Sequence, residues 1–224
     1  MDFVHAYTDS LNAAYASFEE DEEGVGLEQS YLEAYVKQAY SEVPDIYGLS
    51  APRPWQRPKD VLLCNLYSYV GVLGYIGQFF CETQLNPDLL PDQYPFIYAH
   101  EYSHLMGVSN EAEANYWAYQ ICIASDYPSV KYSGYYSLLP YVLSNASRTL
   151  TADEYRKLLS DIHPDILSQY SLERNYWSSL YSPLLGKIQS AIYNAFLKGN
   201  KIPSGTANYL EVIDMIISIP SALD

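Results

Sequence analysis

The stretch that decides the reading is His100-Glu101-Tyr102-Ser103-His104-Leu105-Met106-Gly107-Val108-Ser109-Asn110-Glu111-Ala112-Glu113-Ala114-Asn115. Its first five residues are H-E-x-x-H, and the flanking pattern predicts a helix near 93–106. Positions i and i+4 share a helical face, so both imidazoles can reach one metal ion, with Glu101 beside them as a general base toward water. Two of the chain's four histidines lie in these five residues. The competing structural reading is a helix with two surface histidines.

A catalytic zinc site needs a third protein ligand. Gly107 can end the first helix in a left-handed cap. Asn110 can cap a second helix near 110–125, and Glu113, three residues on, completes a capping-box pattern. That leaves Glu111 as the free carboxylate, with Glu113 as the competing third ligand. Asn115, four residues after Glu111 on the same face, can orient a ligand by hydrogen bonding. The longer pattern H-E-x-x-H-x-x-G-x-x-H fits at Gly107 but places Asn110, a poor zinc ligand, at its last position.

The rest of the chain sets limits. It has 224 residues, 12 Lys plus Arg against 27 Asp plus Glu, and a formal charge of −15. Such a balance excludes the simplest nucleic-acid partner, which needs a basic face, and a polybasic membrane-surface binder. Hydrophobic residues make up 49% of the chain, which excludes disorder. Cys64, Cys81 and Cys122 are an odd number without a C-x-x-C pair, so neither a disulfide framework nor a thiolate zinc site is expected. The start, Met-Asp-Phe-Val-His, carries no signal-peptide pattern. The composition holds 25 Tyr against 6 Phe; tyrosine covers apolar surface while keeping a hydroxyl wet, which suits groove walls, helices packed at one edge and an ordinary soluble core.

Periodicity predicts helices over 2–18 and 27–43, then a Pro-rich linker over 44–60. The uncharged run Val61 to Cys81 reads as two buried strands around a glycine-rich turn rather than a spanning helix, and strand material continues to about Leu85. Helices near 133–147, 151–160, 165–182, 184–198 and 206–218 follow, with Pro140 and Pro183 expected to kink or divide two of them. The expected fold is a single predominantly helical α+β domain over 1–224. It comprises N-terminal helices (1–43), a linker (44–60), a catalytic core (61–125) with a small sheet, the H-E-x-x-H helix and a glutamate helix, and a C-terminal helical part (126–224).

Glu111 to Asn115 resembles the Glu-x-x-(Ser/Ala)-Asp helix of gluzincin peptidases, in which the Glu binds zinc and the residue four later supports a His. Here Asn115 stands in place of the Asp, and the spacer from His104 to Glu111 is much shorter than in thermolysin-like enzymes. Over most of its length the chain is similar to the bacterial domain-of-unknown-function family 3810. The shared segments are His-Glu-Tyr-Ser-His-Leu-Met-Gly, Glu-Ala-Glu-Ala-Asn-Tyr-Trp-Ala-Tyr, Tyr-Ser-Gly-Tyr at 132–135, Tyr176-Trp177 and Phe196-Leu197-Lys198-Gly199-Asn200. This resemblance implies a zincin-like zinc metallopeptidase anchored in the bacterial membrane by helices that precede the catalytic domain. The soluble domain would then be extracytoplasmic and act on a peptide or protein substrate.

Later residues could complete such a site. His163, in Ile-His-Pro-Asp, and Tyr132, Tyr135 or Tyr176 are candidates to stabilise an oxyanion. Glu82 could read a substrate amine if the strand before it pairs with a peptide. The expected function is a zinc-dependent metallohydrolase, with one zinc held by His100, His104 and Glu111 and Glu101 as the base. The alternatives are an amidase acting on cell-wall peptide, a zinc-binding domain without turnover, and a helical domain with no metal.

Overall fold

The computed structural model describes residues 2–21, 28–60, 64–77, 82–187, 211–219 and 223. Its elements run α1 (Asp2–Glu20), α2 (Gln29–Glu42), a 3-10 turn (Asp45–Tyr47), β1 (Lys59–Asp60), α3 (Cys64–Val70), β2 (Gly74–Gly77) and β3 (Glu82–Leu85). Then come α4 (Tyr94–Leu105), α5 (Glu111–Ile123), α6 (Pro128–Thr149), α7 (Ala152–Asp161), α8 (Pro164–Leu180) and α9 (Glu211–Ser218). The fold is a predominantly helical α+β arrangement, as the sequence predicts.

Helix α4 is the centre. Its residues from Tyr98 to His104 are buried on every face, which explains why no apolar stripe marks it. It packs against α2, α5, α6 and the sheet, while α1 lies along α6 and α7. Tyrosine hydroxyls fasten these helices by donating to backbone carbonyls. Tyr40 bonds Ala99 at 2.8 Å, Tyr35 bonds Ile121 at 2.6 Å and Tyr7 bonds Tyr135 at 2.6 Å. Each ring buries apolar area and its hydroxyl still finds a partner, which accounts for some of the tyrosine excess. At the α5–α6 crossing a Cβ on Gly134 would fall 2.7 Å from that of buried Cys122, so only glycine permits this approach.

The sheet has the order β1-β3-β2, with β1 parallel and β2 antiparallel to β3. This corrects the expectation of two buried strands from Val61 onward. Cys64–Val70 is a helix, and β2 leaves Tyr75 half exposed. Ser68 explains part of the difference. Its hydroxyl bonds Asn86 and Asp88 after β3, which docks a helical turn where a strand would alternate faces. The linker is ordered, since the Ser50 N–H donates to the Met106 carbonyl at 2.9 Å.

Pro140 lies inside a continuous α6, contrary to a division there, whereas α8 ends at Leu180 and helix resumes over 183–187 from Pro183. The expected helix at 184–198 otherwise falls outside the described residues, as do Cys81 and the start of the expected helix at 206–218.

Candidate functional site

The turn between α4 and α5 builds the site. Gly107 takes φ +102°, which an L side chain rarely adopts. Around it the Val108 N–H donates to the Ser103 carbonyl and the Gly107 N–H to the His104 carbonyl, the two bonds of a Schellman ending. This ending turns the Val108 carbonyl back onto α4, where His104 Nδ1 meets it at 2.8 Å. The carbonyl only accepts, so the proton sits on Nδ1 and Nε2 keeps its lone pair. The next helix starts at once, with Asn110 Oδ1 accepting from the Glu113 N–H at 3.0 Å.

Helix α5 returns Asn115 to the first histidine, with His100 Nδ1 2.8 Å from Asn115 Oδ1. Both imidazoles therefore hold their Nδ1 side and present Nε2 to the same place. The two rings stand nearly perpendicular with centroids 4.9 Å apart. Facing them is Glu111, whose Oε2 lies 3.3 Å from His100 Nε2 and 3.9 Å from His104 Nε2. The Glu111 side chain, 29% exposed, is the site's wet edge, whereas Glu101, His100 and His104 are buried.

Glu101 occupies a different wall. A Cβ on Gly74 would fall 2.2 Å from Glu101 Oε1, so the carboxylate rests on the bare backbone of β2. Its other oxygen, Oε2, is buried with no hydrogen-bond partner among the described residues. Burial pushes the Glu101 carboxyl up to about 7, with the charge of His100 opposing and that of Glu111 adding. Burial lowers His104, and the neighbouring His100 lowers it further. His100 is also pressed down by burial, but its bond to Glu111 and the charges of Glu101 and Glu111 leave it above the ordinary imidazole value. Glu111 is held below the usual carboxylate range despite burial, because His100 bonds its charged form.

His100, Glu101 and His104 each place a ligand atom within 4.8 Å of the others, so this group could hold a metal ion. Asn115 also donates from Nδ2 to the Tyr141 hydroxyl at 3.4 Å, which brings α6 to the site.

The remaining sequence candidates are engaged elsewhere. His163 caps α8, accepting from the Asp165 N–H, and its ring lies against Tyr15 of α1. Tyr132 donates to Gln169 Oε1 and stacks on Phe18, while Tyr176 donates to the Asp88 carbonyl. Tyr135 packs edge-on against Tyr7 and Tyr119. Glu82 pairs with Lys59 at 2.6 Å, at the opposite end of the β2–β3 ladder from Gly74. No hydrogen bond or ion pair links any of these to the His100–Glu111 cluster among the described residues. Reading the sequence missed Gly74, Val108 and Tyr141. Of these only Gly74 left a trace, in the glycine triplet at 71, 74 and 77.

A family model described as "Protein of unknown function (DUF3810)" matches residues 1–217. No curated protein and no solved structure matches the chain.

Proposed function

The chain belongs to the DUF3810 family of proteins of unknown function, and from its buried site we propose that it is a zinc-dependent metallohydrolase that cleaves peptide bonds. One observation carries the proposal. Both histidines fix Nδ1 on an acceptor and turn Nε2 toward one oxygen of Glu111. A carboxylate facing two Nε2 atoms needs positive charge between them, which a proton on His100 supplies in the metal-free site and a metal ion bridging all three would supply when bound. Ligands about 2.0–2.1 Å from a tetrahedral zinc sit about 3.3–3.4 Å from each other. The separation of 3.3 Å from His100 to Glu111 fits that edge, and 3.9 Å from His104 needs a small side-chain adjustment.

Both carboxylates approach the histidines, and their surroundings divide the roles. Glu111 already bonds His100, while Glu101 is pinned on Gly74 with an unpartnered oxygen. We therefore assign Glu111 as the third ligand and Glu101 as the general base. When bound, zinc would polarise a substrate carbonyl and lower the pKa of a coordinated water. Glu101 would take the proton of the attacking water and return it to the leaving amine, and a carboxyl pushed up by burial suits that exchange near neutrality. Among the described residues β2 is an edge strand, so a substrate peptide pairing with its outer edge would pass the wall that holds Glu101.

No described helix is long and apolar enough to cross a membrane. The membrane-anchored, extracytoplasmic location is carried by the family resemblance alone, and fractionation of the bacterial source would test it. The function itself is tested by plasma emission spectroscopy on protein purified without chelator. About one zinc per chain is expected, and failure to retain any transition metal after zinc reconstitution would refute it.

A further inference from the structure

From α6 the Tyr141 side chain reaches the imidazole network through Asn115. Asn115, 3% exposed, sits between two groups. Its Oδ1 faces His100 Nδ1 at 2.8 Å, and its Nδ2 faces the Tyr141 hydroxyl at 3.4 Å. A side-chain amide has an accepting end and a donating end, and the two can exchange by a half-turn. Only one orientation serves His100. The oxygen must face the ring, so that Nδ1 carries the proton and Nε2 keeps its lone pair. In the other orientation the amide N–H would meet Nδ1, which moves the ring proton to Nε2.

A hydroxyl can accept from the amide nitrogen, and the longer 3.4 Å contact shows this is the weaker of the two bonds. The hydroxyl has a second neighbour that biases its own proton. Tyr141 lies close enough to Glu111 for that carboxylate's charge to act on its hydroxyl. A phenol O–H oriented toward the negative side chain leaves its lone pair for the Asn115 N–H. Burial of the amide makes the choice costly to reverse, because an exposed amide could turn to water instead.

We infer that Tyr141 is a positioning residue that fixes the orientation of the Asn115 amide and, through it, the ring tautomer of His100. This rests on the reading of His100 as a ligand, but the bias it predicts toward a proton on Nδ1 acts with or without metal. Tyr141 does not touch reacting atoms. It acts from a third helix, so the site needs α4, α5 and α6 in register together.

The test uses the full chain in four forms: parent, Tyr141→Phe, Asn115→Asp, and both substitutions together. Zinc affinity is read by competition with a chromophoric chelator. The His100 tautomer is read from imidazole nitrogen shifts in chelator-treated protein, at a pH well above the imidazole pKa. Partners one remove from a metal typically change affinity 10–100-fold, so Tyr141→Phe should weaken zinc about 10-fold and mix the tautomers. In the Asn115→Asp background both carboxylate oxygens accept, the orientation ceases to matter, and Tyr141→Phe should lose most of that effect. Unchanged affinity and tautomer in Tyr141→Phe would overturn the inference. An equal loss in both backgrounds would also overturn it, since it would show a packing effect. If the parent binds no zinc, the proposed function fails, and the tautomer comparison alone still decides the role of Tyr141.

Discussion

Replacing Gly74 with alanine tests the contact that holds Glu101. The new Cβ would lie 2.2 Å from Oε1, 2.6 Å from Cδ and 2.7 Å from Cγ of Glu101. Because Cγ takes part, rotating the carboxylate alone brings no relief. The whole side chain must retreat by about 1 Å, or β2 must lift from α4, and overpacking of this kind costs ~1–3 kcal/mol. Alanine also narrows the unfolded ensemble, which returns ~0.4–1 kcal/mol. The clash outweighs that gain, so a net loss of about 1–2 kcal/mol is expected. Gly74 does not adopt a positive φ, so backbone strain adds nothing. Urea denaturation of metal-free parent, Gly74→Ala, Glu101→Ala and the double variant reads the coupling. Without the Glu101 side chain only the unfolded-state gain of ~0.4–1 kcal/mol remains, so the coupling is the clash itself, about 1–3 kcal/mol. An equal cost in both backgrounds would refute the argument, as would a fully stable Gly74→Ala. If Glu101 is the base we propose, its displacement by about 1 Å in the zinc-loaded protein should slow turnover on the order of 10²-fold while metal content is kept.

Glu101→Gln should keep zinc and lose about 10²–10⁴-fold in hydrolysis, measured against any peptide the parent cleaves. The same variant carries a pH signature in the metal-free state. The Glu101 carboxyl rises from 4.5 to about 7 on folding, chiefly by burial, so its stability contribution is complete below 4.5 and is lost as pH rises through 7. Urea melts should therefore show Glu101→Gln gaining on the parent across that window. Glu111→Ala should lose zinc in chelator competition whereas Glu113→Ala keeps it, and the opposite pattern would reverse the ligand assignment. Gly107→Ala should strain a residue at φ +102° and move the Val108 carbonyl off His104, weakening zinc binding as well as lowering the melting temperature.

The parts of the site legible in the sequence are those carried by spacing. His100 and His104 face one way because a helix repeats every 3.6 residues, and Asn110 caps α5 as its type and place predict. Asn115 reaches His100 for the same reason, being one turn after Glu111. The parts not legible depend on contacts between elements. The partner of His104 is a backbone carbonyl, and Val108 could be almost any residue and still supply it. Gly74 matters only because β2 passes under Glu101, and Tyr141 only because α6 crosses α5 at that level.

The same division explains the error in the fold. From Val61 to Leu85 the sequence offers short apolar runs with glycines, and a short apolar run cannot be assigned to helix or strand by periodicity. What decides Cys64–Val70 is outside it. Asn86 and Asp88 supply the bonds to Ser68, and the Tyr69 carbonyl accepts from the Ser182 N–H beyond α8. Tyr67 reaches Gln84 of β3 from the same turn. Side chains at 67 and 68 thus engage different neighbours without the strict two-face alternation a strand would impose. A segment whose partners lie about 20 and more than 100 residues away takes its conformation from them, whereas α4 and α5 carry their caps within their own sequence. That difference is physical: the H-E-x-x-H turn is a local structure with its Schellman ending and cap encoded over sixteen residues, and the wall behind Glu101 is assembled only when the sheet docks.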